Sequence, residues 1–317
     1  MKCAFVFPGQ GSQSVGMQAS LAAAFPAVTE TYAEASSLLG FDLWQLVQQG
    51  PQEKLDQTVV TQPAMLTAGV AAWRCWQAAG GPAPVAAAGH SLGEFTALVC
   101  SGALDFAEAV ALVKRRARLM QEAVPGGSGA MAAILGLDDQ LVMDVCAAAA
   151  QGLVVSAVNF NSPGQVVIAG ERDAVGRAAE NARAAGAKRA MLLSVSVPSH
   201  CALMEPAAAE LAKRLEQTAF LEPAFPVISN VDVAPYRNAA DIRDGLRRQL
   251  FSPVRWMETV QVMAGRGVDV MIECGPGKVL VGLLKRIDRA LAGGAIENTE
   301  SLQAALELCG VQDGATR

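Results

Sequence analysis

Short apolar runs alternate along the chain with longer segments whose apolar residues recur at the spacing of a helix. Residues Cys3–Phe7 form such a run, and Pro8-Gly9 follows it directly, which is typical of a buried strand that enters a turn. Similar runs predict strands at residues 85–88, 225–229 and 268–273. Strands that alternate with helices predict a parallel sheet that is covered on both faces. Helices are predicted over residues 14–40, 62–79, 92–101, 105–124, 205–217, 242–250, 254–264 and 280–291.

The middle of the chain follows a different order of elements. Strands are predicted at residues 129–136, 153–159, 165–169 and 188–195, and helices at residues 138–151 and 172–185. Strand-helix-strand-strand-helix-strand is the order of the split βαβ, or ferredoxin-like, arrangement. We therefore predict a ferredoxin-like (βαββαβ) subdomain at residues 126–195, inserted into a larger α/β domain formed by residues 1–125 and 196–317. The last dozen residues, 306–317, are expected to be frayed.

Composition narrows the class of protein. The chain has 317 residues, of which 52% are hydrophobic and 17% charged, and this balance suits a compact protein with a well-buried core. Its formal net charge of -5 argues against general affinity for nucleic acid, which usually requires a strongly basic domain. The apolar runs are too short or too interrupted to form a signal peptide or a membrane span.

The seven cysteines are scattered, and no two have Cys-x-x-Cys spacing. This usage predicts reduced thiols in a cytoplasmic protein, with neither a disulfide framework nor a zinc site.

The sequence Gly89-His90-Ser91-Leu92-Gly93 contains the Gly-x-Ser-x-Gly pattern between a predicted strand and a predicted helix. In that context the pattern is typical of a nucleophile elbow, a sharp turn that exposes the serine hydroxyl. The free N–H groups at the start of the helix, with that of Leu92 among them, could stabilise an oxyanion. The alternative is a chance match in a chain with 30 glycines.

Only two histidines could serve as the general base for such a serine. His90 is adjacent to Ser91, and adjacent side chains diverge on a sharp turn, so we expect His90 to have a structural role. His200 lies in the loop that leads back to the larger domain, and we predict that it activates Ser91. Either an acidic side chain or a backbone carbonyl could orient the imidazole.

Seven motifs follow one another along the chain. They are FPGQGSQ at 7–13, GHSLGE at 89–94, MQEAVP at 120–125, NSPGQVVIAG at 161–170, VPSH at 197–200, QLFSPVRW at 249–256 and ECGPGK at 273–278. Together they resemble the malonyl-CoA:acyl carrier protein transacylases of bacterial fatty acid synthesis, and the resemblance runs in order from residue 3 to about residue 290. The family's fold is a hydrolase-like α/β domain with a ferredoxin-like insert.

The resemblance assigns roles to individual residues. Ser91 matches the family's acylated serine, and His200 matches its base. The backbone N–H groups of Gln10 and Leu92 match the oxyanion hole. Gln249 matches a glutamine whose backbone carbonyl positions the histidine, which would fill the third place of a triad without an acid.

Arg116 matches the arginine that holds the malonyl carboxylate. A planar guanidinium can pair with a carboxylate through two parallel hydrogen bonds, so the assignment is chemically sound. From the residues alone, Arg116 cannot be distinguished from its basic neighbours Lys114, Arg115 and Arg118, which could together form a solvated face.

The resemblance implies an acyltransferase that moves a malonyl group from malonyl-CoA to the phosphopantetheine thiol of holo acyl carrier protein. It implies no metal and no cofactor, and we expect a cytoplasmic monomer that binds neither nucleic acid nor membrane. Because acyl carrier protein is acidic, Lys285-Arg286 and Lys188-Arg189 are candidate docking residues. The alternatives are an esterase or thioesterase, a discrete acyltransferase of polyketide synthesis, and a carrier-protein-binding module without activity.

Overall fold

The computed structural model describes residues 1–193, 195 and 197–311. Within these residues the strands fall into two separate sheets, one of five strands and one of four. The strands are β1 (Cys3–Phe7), β2 (Ala86–Gly89), β3 (Gly129–Leu135), β4 (Val155–Ser162), β5 (Gln165–Glu171), β6 (Arg189–Leu192), β7 (Val227–Ile228), β8 (Val270–Cys274) and β9 (Ala292–Ile296).

Helices cover both sheets. They are α1 (Ala19–Ala24), α2 (Pro26–Leu39), α3 (Leu43–Gln49), α4 (Gln52–Leu55), α5 (Thr58–Ala78), α6 (Gly93–Cys100), α7 (Phe106–Ala123), α8 (Asp139–Ala150), α9 (Arg172–Ala184), α10 (Glu205–Gln217), α11 (Ala239–Gln249), α12 (Trp256–Gly265), α13 (Val279–Ile287) and α14 (Thr299–Leu308).

The five-stranded sheet is parallel throughout, with the order β7-β2-β1-β8-β9. Alternate residues of β1 pack on opposite faces. Phe5 and Phe7 join a core that includes residues of α2, α5 and α7, whereas Ala4 and Val6 join a core with residues of α12 and α13. Because both faces are covered, the strand is apolar at every position, and the predicted parallel sheet is confirmed.

The four-stranded sheet is antiparallel, with the order β4-β5-β3-β6. Its elements follow the predicted order, β3-α8-β4-β5-α9-β6. One face packs on α8 and α9, and the other face contributes Met131 and Val158 to a cluster that contains Cys201. This second face therefore lies beside His200. The limits proposed for the inserted subdomain, residues 126 and 195, remain a prediction.

Several predicted element limits are wrong. The helix predicted over residues 280–291 ends at Ile287, and β9 follows. The helix predicted from residue 62 begins at Thr58 and contains Pro63. Of the terminal residues expected to be frayed, 306–308 belong to α14, 309–311 follow it, and 312–317 lie outside the described residues.

Candidate active site

The turn between β2 and α6 places Ser91 at the carboxyl edge of the parallel sheet, with a positive φ of 52°. Its flanking glycines allow no side chain. A Cβ on Gly89 would lie 1.8 Å from the carbonyl carbon of Gly93, and a Cβ on Gly93 would lie 2.0 Å from the carbonyl oxygen of Phe7. The Gly-x-Ser-x-Gly pattern is therefore required by packing, which disfavours a chance match.

His200 is the histidine that reaches Ser91. Its Nε2 lies 2.7 Å from Ser91 Oγ, and its Nδ1 lies 2.7 Å from the carbonyl oxygen of Gln249. A carbonyl can only accept, so Nδ1 carries the proton in the neutral ring and Nε2 is left to accept the proton of the serine hydroxyl. The backbone N–H of His200 donates to the carbonyl of Leu250 at 2.9 Å, which fixes the loop that carries the ring.

The electrostatic surroundings keep His200 neutral. The ring is buried, and burial lowers the pKa of His200 to about 3, with the positive charge of Arg116 as the next cause. Both effects disfavour the imidazolium ion. His200 is therefore in the protonation state of a general base at neutral pH.

His90 contacts other partners. Its Nε2 lies 2.9 Å from Asn161 Oδ1, and its ring packs against Trp256 with the centroids 5.5 Å apart. Burial lowers the pKa of His90 as well. This arrangement agrees with the structural role expected for His90.

Gln10, Ser91 and His200 line one cavity. Met131 of β3 and Asn159 of β4 also line it, so the antiparallel sheet forms one wall. Among the described residues, the backbone N–H groups of Gln10 and Leu92 donate to no partner. They are therefore available to an oxygen atom in the cavity.

Arg116 separates from its basic neighbours once the chain is folded. Its side chain is 1% exposed, whereas Lys114, Arg115 and Arg118 are exposed. Burial lowers the pKa of Arg116 to about 10, so the guanidinium is still a cation at neutral pH. The helical periodicity of the sequence indicates this burial, because position 116 shares the apolar face of α7 with Ala109. The prediction for the basic cluster did not take that periodicity into account.

The guanidinium of Arg116 is directed at the serine. Nη2 donates to Ser91 Oγ at 3.2 Å and to Gln249 Oε1 at 3.0 Å, and Nη1 donates to Gln62 Oε1 at 2.8 Å. Nε makes no hydrogen bond within the described part of the chain. A buried cation that contacts the Ser91 hydroxyl and keeps one donor unused is suited to a substrate that carries a negative charge.

A set of buried polar residues beneath Ser91 was not predicted from the sequence. Asn230 accepts from the Ser91 N–H at 2.8 Å and donates to the Gly89 carbonyl at 2.6 Å. Glu94 is fully buried and accepts from Tyr236 and Gln249. Burial raises the pKa of Glu94 to about 7, although these donors and the charge of Arg116 act in the opposite direction. Glu94 is the sole charged residue of α6, which is a signal in the sequence, but nothing local marks Asn230 or Tyr236.

No helix within the described residues is long and apolar enough to cross a membrane. Within the same residues, no cluster of three or more histidine, cysteine, aspartate or glutamate side chains could hold a metal ion.

Comparison with known proteins connects this geometry to a family. The sequence profile described as the acyl transferase domain matches residues 4–305. The malonyl CoA-acyl carrier protein transacylase of Escherichia coli (strain K12) is 59% identical over 305 residues, which cover 96% of this chain and 99% of that protein.

Solved structures agree. The crystal structure of an acyl carrier protein S-malonyltransferase from Vibrio cholerae has a TM-score of 0.94 and 59% identity, covering 96% of this chain and 100% of that one. A malonyl-transacylase in complex with its holo type II PKS acyl-carrier protein has a TM-score of 0.96 and 58% identity, covering 97% and 100%. The chain therefore belongs to the acyl transferase domain family and, within it, to the malonyl CoA-acyl carrier protein transacylases.

Proposed function

We propose that the chain transfers the malonyl group of malonyl-CoA to the phosphopantetheine thiol of acyl carrier protein through a malonyl ester on Ser91. The observation that carries this proposal is the position of Ser91 Oγ, which lies 2.7 Å from His200 Nε2 and 3.2 Å from Arg116 Nη2. A hydroxyl between a neutral base and a buried cation can attack a thioester whose acyl group carries a carboxylate.

In the first half-reaction, His200 Nε2 takes the proton of Ser91 as Oγ attacks the thioester carbonyl carbon. The oxyanion accepts hydrogen bonds from the backbone N–H groups of Gln10 and Leu92, each worth a few kcal/mol at comparable sites. The carbon–sulfur bond then breaks, and the CoA sulfur takes the proton from His200. Arg116 holds the free carboxylate of the malonyl group on Ser91.

In the second half-reaction, the phosphopantetheine thiol gives its proton to His200 and attacks the ester carbon. The carbon–oxygen bond to Ser91 breaks, and His200 returns the proton to Oγ. The product is malonyl-acyl carrier protein, which can supply fatty acid chain elongation. His200 alternates between base and acid, so we propose a serine-histidine dyad with ping-pong kinetics and no metal or redox cofactor.

Three expectations from the sequence stay predictions. They are the hydrolase-like fold of the larger domain, the monomeric state, and the cytoplasmic location that the scattered, unpaired cysteines suggest.

Mass spectrometry of the intact protein after mixing with malonyl-CoA tests the covalent step. Without carrier protein, we expect a malonyl adduct on Ser91, no adduct on the Ser91→Ala variant, and release of about one equivalent of CoA. Holo carrier protein should then remove the adduct. Continuous CoA release with no carrier protein present would instead identify a thioesterase, and an unmodified Ser91 would rule out the ester intermediate.

A further inference from the structure

A buried carboxyl group lies on the side of the Gln249 amide opposite to Arg116. We propose that Glu94 is a positioning residue that favours acyl groups bearing a carboxylate, because it orients the Gln249 side chain and, through it, the guanidinium of Arg116. This inference rests on the role proposed above for Arg116 and extends it to a residue that does not line the cavity.

Glu94 is surrounded by donors. Its Oε1 accepts from the Tyr236 hydroxyl and from the Asn230 N–H at 3.3 Å, and its Oε2 accepts from Gln249 Nε2. The side chain is fully buried on the first turn of α6, three residues after Ser91. Three donors facing one carboxyl group match the acceptor-only carboxylate and fix the positions of both oxygens.

The Gln249 amide is held in one orientation. Its Nε2 donates to Glu94 Oε2 and, at 2.9 Å, to the carbonyl oxygen of Ser91, while its Oε1 accepts from Arg116 Nη2 at 3.0 Å. In the reversed amide, the oxygen would face two other oxygens and the NH2 group would face the guanidinium. Glu94 therefore opposes the rotation that would separate Gln249 from Arg116.

Arg116 depends on this contact for its position. Two amide oxygens hold the guanidinium, that of Gln62 at Nη1 and that of Gln249 at Nη2, and Nη2 is the nitrogen that reaches Ser91 Oγ. Arg116 forms no ion pair with a carboxylate in the described part of the chain. Loss of the Gln249 contact would free the nitrogen beside the nucleophile, whereas the backbone carbonyl of Gln249 would still hold His200.

The test compares Glu94→Gln with Tyr236→Phe in holo carrier-protein assays at pH 8, with malonyl-CoA and acetyl-CoA as the two donors. The Asn230 N–H can only donate, so we expect the amide oxygen introduced by Glu94→Gln to stay on its side and the NH2 group to face Gln249 Nε2. Because the contact with Gln249 is then lost, the ratio of kcat/KM for malonyl to that for acetyl should fall by at least about tenfold, as for one hydrogen bond to a charged group. Acetyl transfer does not use the carboxylate contact, so it should change by less than about threefold.

Tyr236→Phe removes a donor to the same carboxyl but leaves the contact with Gln249, so its ratio should equal that of the wild type. Equal falls of the ratio in both variants, or an unchanged ratio in Glu94→Gln, would overturn the proposal. A merely structural role of Glu94 would lower both transfers together and leave the ratio unchanged.

Arg116→Ala separates failure of this inference from failure of the proposed function. An unchanged ratio in Arg116→Ala would remove Arg116 from carboxylate binding, and this inference with it. A reduced ratio in Arg116→Ala together with a normal ratio in Glu94→Gln would remove only the role of Glu94. If Glu94→Gln shows no cooperative thermal unfolding, Gln249→Met replaces it. That variant keeps the backbone carbonyl and loses the amide, so the ratio should fall, and a wild-type ratio would overturn the proposal.

Discussion

The imidazole of His200 lies between a carbonyl that accepts its Nδ1 proton and a hydroxyl that faces its Nε2. Burial and the nearby guanidinium of Arg116 both disfavour its charged form. An exposed histidine is protonated below about pH 6.5 and can then no longer accept a proton. In the environment of His200 the ring stays neutral to lower pH. The difference can be measured through the reactivity of the Ser91 hydroxyl.

We expect Ser91 to react with a neutral fluorophosphonate at nearly the same rate at pH 5 as at pH 7, because the pKa of His200 lies near 3 and its ring stays neutral in this range. With a histidine of the ordinary pKa, about 6.5, the rate would fall about 25-fold over that interval. The rate of labelling is read by intact-protein mass spectrometry, with Ser91→Ala as the blank. A fall of tenfold or more between pH 7 and pH 5 would contradict a depressed pKa.

The candidate site was only partly predictable at this scale. Ser91 and His200 could be identified because the chain has one such motif and only two histidines. Asn230 and Tyr236 could not, because each lies more than 130 residues from Ser91 along the chain and only the fold brings it beneath the turn. For Gln249 the sequence suggested the backbone carbonyl but not the side-chain bridge to Arg116.

At the scale of the element, the turn between β2 and α6 is built by close backbone contact. Strand β1 pairs with β2 so that Phe7 lies opposite Gly89, and the start of α6 packs directly on the end of β1. A short, uniformly apolar strand between two helical layers leaves a strong signal in the sequence, which is why β1 was predicted correctly.

Elements with weaker local signals were missed. Strand β9 contains Gly293-Gly294, which have little strand preference, and it forms because β8 offers a free parallel edge. The start of α5 was predicted at residue 62, which would place Pro63 in the first turn, where proline is common. The helix begins one turn earlier, at Thr58, so Pro63 lies inside it. In both cases tertiary packing overrides the local preference.

Gly93→Ala tests the close contact at the turn. The new methyl group would lie 2.0 Å from the Phe7 carbonyl oxygen, a backbone atom that cannot move away alone. We expect a loss of about 1–3 kcal/mol in the free energy of unfolding, measured by urea denaturation, and a larger proportional loss of malonyl transfer.

The matched control is Gly176→Ala in the middle of α9, where a Cβ meets nothing within 4 Å. That substitution should leave activity unchanged and raise stability by about 0.5–1 kcal/mol, because alanine favours the helix. Equal stability of the two variants would show that the backbone at Gly93 has room for a side chain.

At the scale of the whole molecule, the candidate active site and the candidate docking residues lie at opposite ends of β3. The Ser91 turn follows the carboxyl end of β2, and Met131 near the start of β3 lines the same cavity. At the other end of β3, Leu135 pairs with Gln165 on one side and with Arg189 on the other. Arg286 donates to Gln165 Oε1 at 3.0 Å, so the two candidate basic pairs lie near the same end of the antiparallel sheet.

Four basic residues are exposed at this end, Lys188, Arg189, Lys285 and Arg286. They would raise the association rate constant of an acidic carrier protein that docked there, because opposite charges attract during the encounter. We therefore expect charge reversal by Lys285→Glu with Arg286→Glu to raise the KM for carrier protein severalfold at low salt, with a smaller effect at high salt because exposed charges are screened. The rate of Ser91 malonylation from malonyl-CoA should be unchanged.

The matched control is Lys2→Glu with Arg266→Glu, which makes the same change of charge at exposed positions preceding β1 and β8, on the edge of the parallel sheet opposite to Ser91. Equal effects of the two pairs would mean that overall charge, rather than a docking surface at the antiparallel sheet, governs the encounter.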